Sequence, residues 1–376
     1  MEILMTVVLM ILFILCLLNF LTGFRLNQQT VKTLPRAPFV SVLIPARNEA
    51  QNLIHLIPSL LASDYPHFEI LVLDDQSTDK TFQTANELFK NSQVQYQVIQ
   101  GQPWTPELPV SGKNYACHQL SKAATGEILI FCDADVVVSK TALKNTVQLM
   151  LQHPTASGVS ALAFLKTSGA LQKLVLPWIM QIPLMMTLPL RFAWRTSFQS
   201  MQMANGQWLA LWADRYERVG GHLALAHAVV EDIELSRKLT QKSLGGMIPA
   251  FAAEDIFVSM YANWKSMVQG FSKNLILIYG GHPFAFVVIL FFLNLIFFWP
   301  LFFGFQVAYL FLILGLRFFT SLAFGHSVFR AGLDAVLTWP SLIALNFFAI
   351  LVLRNHFKKQ THWKGRPIFH SSGGPL

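Results

Sequence analysis

The chain has 376 residues, of which 53% are hydrophobic and only 13% are charged, and its formal net charge is +8. This apolar balance excludes an ordinary soluble protein and predicts a polar domain placed between membrane segments. No basic run is interleaved with stacking aromatic residues, so the positive charge does not indicate nucleic-acid binding. Much of that charge flanks apolar segments, where anionic lipid head groups account for it. The three cysteines are too few and too scattered for a disulfide framework or a zinc site, and we expect reduced thiols.

The first apolar run, residues 3–22, has about the length that crosses a ~30 Å hydrocarbon core. A cleaved signal peptide is the alternative, but Glu2 stands where a basic region is expected and no small-residue cleavage pattern follows. We therefore predict an uncleaved transmembrane helix. Arg25, Lys32 and Arg36 follow it, and the positive-inside rule places that side in the cytosol.

Three strand-like segments follow, and each ends in a polar cluster. They are PFVSVLIPARNEAQNL, HFEILVLDDQSTDKT and GEILIFCDADVVV. We expect Ser77 or Thr78 to cap the helix after the second strand. Strands that alternate with helices imply a doubly wound parallel sheet, in which ligands bind at the carboxyl ends of the strands. One edge of that sheet should therefore carry the clusters 46–49, 74–79 and 133–135.

Residues 171–195 are long and apolar enough to be mistaken for a membrane span. Pro177, Pro183 and Pro189 interrupt this segment, which a lipid-exposed helix tolerates poorly. A crossing here would also separate the acidic loops from the later EDIEL motif. We therefore expect the segment to lie in the membrane interface.

Residues 283–353 are again mostly apolar, with blocks near 284–303, 305–324 and 333–353. Three crossings would place the basic tail outside, against the positive-inside rule. Two crossings with a re-entrant or interfacial block would keep it inside, and the sequence leaves both alternatives open. Arg317 is expected to snorkel to the membrane boundary, with a functional charge as the alternative.

Asp133 and Asp135 are separated by one residue at the tip of a predicted buried strand. A nucleotide sugar releases a diphosphate with increased negative charge, which a divalent cation held by carboxylate oxygens can neutralise. Two carboxylates so placed could share a hydrated Mg²⁺ or Mn²⁺. Acidic turns are common, so the surrounding sequence decides how strongly this pair indicates a metal.

That surrounding sequence resembles the family 2 glycosyltransferases with the GT-A fold, from about Pro38 to Asn274. Five motifs occur in the order of that family: PARNEAQNL, VLDDQSTDKT, SGKNYACHQLSKAATGEILIFCDADV, NGQWLALWADRYERVGGH and VVEDIELSRKL. Five ordered motifs are more specific than any one of them. The resemblance implies an α/β domain with a doubly wound, mostly parallel sheet that binds a nucleotide-sugar donor.

The resemblance also implies roles for single residues on the donor side. Glu49 and Asp75 would accept hydrogen bonds from the base and the ribose. Lys113 would meet the donor phosphate or sugar as a point charge. Asp133 would bind the donor and share the metal, which Asp135 would principally hold.

In the motif VVEDIELSRKL, the resemblance implies that Asp232 is the catalytic base. Direct displacement at an anomeric carbon needs a carboxylate that takes the proton of the acceptor hydroxyl, opposite the leaving diphosphate. Glu231 would orient Asp232, and the product would have inverted anomeric configuration. The alternative is that both acidic residues only favour the first turn of a helix through its dipole.

Many processive members of the resembled family carry a Q-x-x-R-W signature that closes over the growing polymer. The corresponding stretch here is QGFSK, residues 269–273, which lacks both the arginine and the tryptophan. Polymer synthesis is therefore not favoured. Lys273 could still reach the donor diphosphate, or it could lie at a lipid head group.

Three residues are candidate acceptor contacts. His222 ends a Tyr-x-x-x-Gly-Gly-His stretch, whose glycines suit a tight turn lining an acceptor pocket. Met185 and Met186 lie in the apolar segment 171–195, where methionines can adapt to a flexible chain. We expect a hydrophobic acceptor to enter from the bilayer through a cleft framed by this segment.

The tail HWKGRPI and the segment GFSKN resemble the bacterial membrane-bound branch that glycosylates carotenoids and related polyisoprenoid lipids. We therefore predict a metal-dependent, inverting, non-processive hexosyltransferase that uses a nucleotide sugar, with UDP-glucose expected, and a membrane lipid acceptor. A processive polysaccharide synthase with a transport pore and a catalytically silent nucleotide-binding scaffold are the alternatives. The expected location is the inner (cytoplasmic) membrane, as a multi-pass protein with its catalytic domain in the cytosol. The predicted parts are a transmembrane helix (1–24), a GT-A domain (37–280), a transmembrane region of two to three helices (283–353) and a basic tail (354–376).

Overall fold

The computed structural model describes residues 2–28, 36–105, 108, 110–167, 169–225, 228, 230–261, 263–302, 307–358, 362–363 and 366–367. The chain divides into two compact units. The sheet unit comprises Phe24–Leu165 and Trp194–Ser259. The helical unit comprises Met1–Gly23, Lys166–Ala193 and Met260–Ile368.

The described part of the sheet unit holds one sheet of eight strands and one of three strands. The strands of the large sheet are β1 (Phe24–Arg25), β2 (Val40–Ala46), β3 (Phe68–Asp74), β4 (Gln95–Gln100), β5 (Ile128–Cys132), β7 (Gly158–Leu162), β9 (Trp208–Trp212) and β10 (Met247–Phe251). Those of the small sheet are β6 (Val136–Val138), β8 (Phe164–Leu165) and β11 (Ile256–Val258).

The large sheet has the strand order β1-β10-β7-β9-β5-β2-β3-β4, and its neighbours are parallel except where β9 is involved. The predicted mostly parallel, doubly wound sheet is confirmed. The strands β2, β3 and β5 are buried along nearly their whole length, which explains why they are continuous apolar runs and do not alternate. They run in one direction and end at Ala46, Asp74 and Cys132, so the three predicted polar clusters follow one edge of the sheet.

Six helices belong to the described part of the sheet unit: α2 (Ala50–Leu61), α3 (Thr81–Phe89), α4 (Gly112–Ala123), α5 (Ala142–Gln152), α8 (Ala213–Arg218) and α9 (Glu231–Gln241). The prediction that Ser77 or Thr78 caps α3 is wrong. The hydroxyl of Ser77 accepts the N–H of Asn48 at 2.9 Å, and the N–H of Thr78 donates to Asn48 Oδ1 at 2.8 Å. Both residues therefore tie the loop after β3 to the loop after β2.

The helical unit contains α1 (Glu2–Thr22), α6 (Ala170–Met186), α7 (Leu190–Ala193), α10 (Trp264–Ile278), α11 (Pro283–Phe302), α12 (Val307–Ala323), α13 (Val328–Val336) and α14 (Thr338–Phe357), with a short hairpin of β12 (His362–Trp363) and β13 (Arg366–Pro367). Among the described residues, α1, α11 and α14 are long and apolar enough to cross a membrane. The helix α12 is apolar but shorter. In the described part of the chain from residue 283 onward, two helices thus have the length and composition of a membrane span.

The segment predicted to lie in the membrane interface folds mainly as α6, and the prediction that its prolines interrupt it is wrong for two of them. Pro177 and Pro183 lie inside the helix. A helical proline leaves the carbonyl four residues earlier without its N–H partner. Both of these carbonyls have side-chain donors instead: Arg330 Nη2 donates to Lys173 O at 2.8 Å, and the Tyr279 hydroxyl donates to Ile179 O.

Most of the described apolar side chains of α6 are buried in protein where α6 packs against α1 and α14, whereas Leu171 is exposed. Trp178 and Ile179 are 0% and 4% exposed. The location of this segment at the membrane interface stays a prediction. The indole N–H of Trp178 donates to the Ser341 hydroxyl at 2.6 Å, which links α6 to α14.

Polar side chains link other helices of this unit in the same way. Asn294 and Asn346 exchange amide hydrogen bonds at 2.9 and 2.6 Å. Such pairs stabilise helix contacts where no water is available to the polar groups. Arg317 is 0% exposed, donates to Gln181 and lies over the Trp178 ring, with 4.0 Å from Cζ to the ring centroid. The prediction that Arg317 snorkels to the boundary is therefore wrong.

Candidate active site

The loops after β2 and β3 are joined by a set of hydrogen bonds. Asn48 and Gln76 have φ angles of 54° and 56°, so both loops turn through the left-handed region. Arg47 Nη1 donates to the carbonyls of Asp75 and Gln76 at 2.6 and 3.0 Å. Asp75 is 4% exposed, whereas Glu49 is partly exposed and accepts a hydrogen bond from Asn52 at 2.5 Å. These bonds fix the two loops that carry the predicted base and ribose contacts.

The ammonium group of Lys113 lies between two carboxylates. Its Nζ is 2.9 Å from Asp133 Oδ1 and 2.7 Å from Glu231 Oε1. Lys113 stands in the first turn of α4, where the Ser111 hydroxyl caps the helix by accepting the N–H of Asn114 at 3.2 Å. Burial alone would lower the pKa of Lys113, but the two carboxylates hold it well above its usual range. Lys113 is therefore cationic at neutral pH and joins the loop after β5 to the start of α9.

Asp135 has a buried oxygen that lacks a partner. Its Oδ1 has no hydrogen-bond partner among the described residues. Burial raises the pKa of Asp135 to about 7, and the charges of Asp133 and Glu49 add to the rise, while Lys113 opposes it. A carboxylate in such negative surroundings would be stabilised by a cation.

The donor set in this loop fits a hard divalent cation. Asp133 and Asp135 supply carboxylate oxygens, which Mg²⁺ and Mn²⁺ prefer. The described residues contain no group of three or more His, Cys, Asp or Glu side chains that could hold a metal. A cation here would therefore complete its coordination with water and substrate phosphates, as Mg²⁺ commonly does.

The carboxylate of Asp232 is held by two backbone N–H groups. Gly206 N donates to Oδ2 at 2.7 Å, and Ile233 N donates to Oδ1 at 2.8 Å. Burial raises the pKa of Asp232 to about 7, the charge of Glu231 adds to it, and Lys113 and the two hydrogen bonds oppose it. A carboxylate with a pKa near neutrality is well matched to general base chemistry.

His222 lies in the interior of the sheet unit at 2% exposure. Gly220 and Gly221 have φ angles of 88° and 54°, so the predicted tight turn is present. The turn directs His222 inward, where its Nδ1 is 2.7 Å from the Tyr216 hydroxyl and its ring packs edge-on against Phe131. Burial and the charge of Lys113 lower the pKa of His222 to about 3, so the ring is neutral. This buried position does not support the acceptor contact predicted for His222.

The other predicted contacts belong to the helical unit. Met185 is 2% exposed and is packed among helices, so it offers little surface to a ligand. The side chains of Met186 and Lys273 lie outside the described residues, and the roles assigned to them stay predictions. Ser272, which stands where the processive signature has arginine, is 3% exposed and donates to Val268 O at 2.6 Å.

The structure adds site residues that sequence analysis did not single out. Asp74 ends β3 with a buried Oδ1 that has no partner among the described residues. The doubled aspartate of VLDDQSTDKT was the available signal. Asn48 bridges two loops, and Gly206 holds Asp232, but each was read only as part of a longer motif.

Comparisons with known proteins agree with this architecture. A mannosyltransferase from Pyrobaculum calidifontis, solved with GDP-Man and Mn²⁺, matches with a TM-score of 0.52 and 17% identity over 94% of this chain and 99% of that one. This likeness identifies the fold, which is the GT-A fold predicted from the sequence. The family model described as glycosyl transferase family 2 matches residues 41–192. This match covers less than half of the chain.

Two curated relatives extend the comparison. A 4,4'-diaponeurosporenoate glycosyltransferase of Staphylococcus haemolyticus is 28% identical over 63% of this chain and 60% of the relative. A beta-monoglucosyldiacylglycerol synthase of Nostoc is 33% identical over 30% of this chain and 23% of the relative. The first match spans less than two thirds of the relative's length.

Proposed function

We propose that this chain moves a hexose from a nucleotide sugar, with UDP-glucose the expected donor, to a hydrophobic membrane acceptor such as a carotenoid or another polyisoprenoid lipid. The reaction would invert the anomeric centre and would not build a polymer. The names of the two relatives, one acting on a carotenoid-like acid and one a glycolipid synthase, support this class of acceptor.

The observation that carries the proposal is the bridge made by Lys113. One ammonium group contacts Asp133, at the donor end of the sheet, and Glu231, next to the proposed base. A displacement at an anomeric carbon needs the departing diphosphate and the arriving acceptor on opposite sides of the sugar. The Lys113 bridge ties the loop that would hold the diphosphate to the helix that would hold the base.

On the donor side, we assign Glu49 and Asp75 to the base and ribose, and Asp133 and Asp135 to the diphosphate and its metal. The buried, unpartnered Oδ1 of Asp135 supports this assignment. A bound Mg²⁺ or Mn²⁺ would offset the negative charge that grows on the departing diphosphate. Lys113 would interact with donor oxygens as a point charge.

On the acceptor side, we assign the proton transfer to Asp232. Its two backbone hydrogen bonds fix the carboxylate, and a pKa of about 7 leaves it able to take a proton from an acceptor hydroxyl near neutral pH. An acceptor that is itself a carboxylic acid would arrive ionised and would need this base less. Glu231 would keep Asp232 in place through its ion pair with Lys113.

We further propose that the protein is multi-pass in the cytoplasmic membrane, with the glycosyltransferase domain in the cytosol. Three helices with the length and composition of spans support membrane insertion, and the basic residues after α1 support the orientation. Ser272, in place of the arginine of the processive signature, is buried among helices and supports transfer of single sugars.

Mass spectrometry of lipid extracts tests this function. Cells that express the wild-type gene should contain a lipid heavier by one hexose, and cells with Asp232→Asn at equal protein level should not. Purified protein with radiolabelled UDP-glucose should then label the same lipid. The proposal is wrong if no hexosylated lipid depends on the gene, or if the variant makes as much of it as the wild type.

A further inference from the structure

We propose that the turn Asn205–Gln207 is the element that aims the carboxylate of Asp232, with Asn205 and Ser160 as positioning residues. The catalytic meaning of this inference rests on the proposed function of Asp232 as base. The structural part does not, because it concerns how one carboxylate is oriented.

The turn contacts both sides of the site through its backbone. Gly206 N donates to Asp232 Oδ2 at 2.7 Å, and Gln207 O accepts the N–H of Asp133 at 3.1 Å. Two consecutive residues of the turn therefore contact the proposed base and the backbone of the first aspartate of the D-x-D pair. A shift of this turn would change the position of the base relative to the donor side.

Of the two N–H groups on Asp232, only one can fix it relative to the sheet. The N–H of Ile233 belongs to the next residue of α9, so it moves together with Asp232. Gly206 belongs to a different part of the chain, two residues before β9. The N–H of Gly206 therefore fixes the position of the Asp232 carboxylate relative to the sheet.

The turn is closed by two hydrogen bonds between the Asn205 side chain and Gln207. Asn205 Oδ1 accepts the N–H of Gln207 at 3.1 Å, and Asn205 Nδ2 donates to Gln207 Oε1 at 3.1 Å. Gln207 is 5% exposed, so neither bond is readily replaced by water. The pair holds the Gly206 N–H in one direction without using a side chain at Gly206 itself.

The turn is anchored to the sheet by one hydroxyl. Ser160 and Leu209 are the last paired residues of the β7 and β9 ladder. Beyond that pair, the Ser160 Oγ accepts the N–H of Asn205 at 2.6 Å and lies 3.3 Å from its carbonyl oxygen. The Ser160 side chain, which is 0% exposed, thus adds a hydrogen bond between these two segments beyond the last paired residues of the ladder.

A glycine at position 206 leaves room above the two acidic residues. A Cβ there would lie 3.4 Å from Asp232 Oδ2 and 3.6 Å from Glu231 Oε1. These are ordinary contact distances, so the close approach is not forced by sterics. The absence of a side chain at Gly206 leaves space beside Asp232 Oδ2 and Glu231 Oε1.

Ser160→Ala tests the inference, with Ser157→Ala as the matched control. Ser157, the residue directly before β7, is also buried, but its hydroxyl donates to Leu244 O at 2.8 Å and does not contact the turn. Loss of the Ser160 hydroxyl should weaken the bond from Gly206, and a carboxylate that loses a donor becomes easier to protonate. Glu231 and Lys113 are the charged groups that act on Asp232, and neither is changed.

We expect Ser160→Ala to lower kcat by about tenfold, to change the donor KM by less than about threefold, and to move the acid limb of the kcat–pH profile upward by roughly half a unit to one unit. Asn205→Ala, at a partly exposed position, should act in the same direction. Ser157→Ala should keep the wild-type profile even if its thermal stability falls. If the turn has only a structural role, Ser160→Ala should lower the thermal stability and leave the acid limb of the kcat–pH profile unchanged.

A second readout does not depend on turnover. Infrared difference spectra of protein carrying ¹³C-aspartate, compared with Asp232→Asn, report the protonation of Asp232 directly. Its midpoint should rise in Ser160→Ala and Asn205→Ala but not in Ser157→Ala. Unchanged midpoints in both variants would overturn the inference. A wild-type protein that transfers no sugar would instead count against the proposed function, and the infrared result would still decide the role of the turn.

Discussion

The two units of this protein differ in the buried carboxylates that they contain. In the helical unit, several buried side chains complete backbone hydrogen bonds or pair as neutral groups, as the two asparagines 294 and 346 do, and the buried carboxylate of Asp334 pairs with Arg330. In the sheet unit, Asp133, Asp135 and Asp232 are brought near other carboxylates, and Asp135 keeps an unpartnered oxygen. Like charges placed together destabilise the fold, and such clusters persist where a ligand completes them. The comparison separates the polar groups that stabilise helix contacts from the carboxylates of the candidate active site.

The largest effect should come from Asp232→Asn, which keeps the shape of the side chain and removes its basicity. With an alcohol acceptor, kcat should fall by about 10² to 10⁴ while UDP binding stays near the wild-type value. Transfer assays and UDP titrations on the same preparation measure both. Normal turnover on an alcohol would mean that Asp232 is not the base.

The same variant also reports the class of acceptor. A carboxylic acid acceptor is already ionised at neutral pH, so its transfer should lose less than that of an alcohol of similar chain length. Measuring both acceptors side by side separates the two classes. Equal losses on both would indicate that Asp232 does more than remove a proton.

The next largest effect should follow from Asp135→Ala, which removes the carboxylate with the unpartnered oxygen. Activity should fall by about tenfold to a hundredfold, and metal-dependent UDP affinity should fall with it, because the cation would lose a protein ligand. Isothermal titration with UDP, with and without Mn²⁺, checks this. Asp64→Ala, a change on the surface loop after α2, is the control. Full activity of the wild type in EDTA would exclude the metal.

The change in turnover with pH should be intermediate in size among these predictions. The pKa of Asp232 is raised to about 7, so the base is protonated and inactive below that value and ionised above it. Turnover of an alcohol should therefore rise through about pH 7 and fall about tenfold for each unit below it. A kcat that stays flat from pH 5 to pH 8 would contradict the raised pKa or the role of the base.

Much of the sheet unit could be predicted because its signals are local. Continuous apolar runs followed by acidic clusters predict buried parallel strands, and their carboxyl ends meet at one edge. The positions of Asp133, Asp135 and Asp232 at a strand end and in a first helical turn followed from those patterns. The Lys113 bridge could not be predicted, since its partners lie far along the chain and meet only through the fold.

The errors arose where tertiary contacts replaced a local rule. His222 was expected to face an acceptor, but Tyr216 and Phe131 enclose it. The prolines of α6 were expected to break it, but the donors that satisfy the freed carbonyls come from 100 and 157 residues away. No sequence window around α6 contains those donors. The acceptor roles of Met186 and Lys273 stay predictions.

The smallest expected effect concerns the helical unit, where a side chain completes a backbone hydrogen bond. The Tyr279 hydroxyl donates to Ile179 O, the carbonyl that Pro183 leaves without an N–H partner. Tyr279→Phe should lower the free energy of unfolding by about 1–3 kcal/mol, since a buried carbonyl would lose its donor. Pro183→Ala restores a backbone N–H to the same carbonyl, so in that background Tyr279→Phe should cost less.

Thermal or denaturant unfolding of the detergent-solubilised protein measures this double-mutant cycle. Tyr309→Phe is the matched control, because that hydroxyl contacts Thr6 and the carbonyl of Glu2 in α1 and has no connection to Pro183. Its cost should be the same with proline or alanine at position 183.

Glycosyl transfer to a given acceptor should be nearly unchanged in a folded Tyr279→Phe protein, because this hydroxyl completes a helix and does not belong to the site. Equal costs of Tyr279→Phe in both backgrounds would show that the hydroxyl does not replace the missing N–H, and a large loss of turnover in folded protein would place a chemical role in the helical unit.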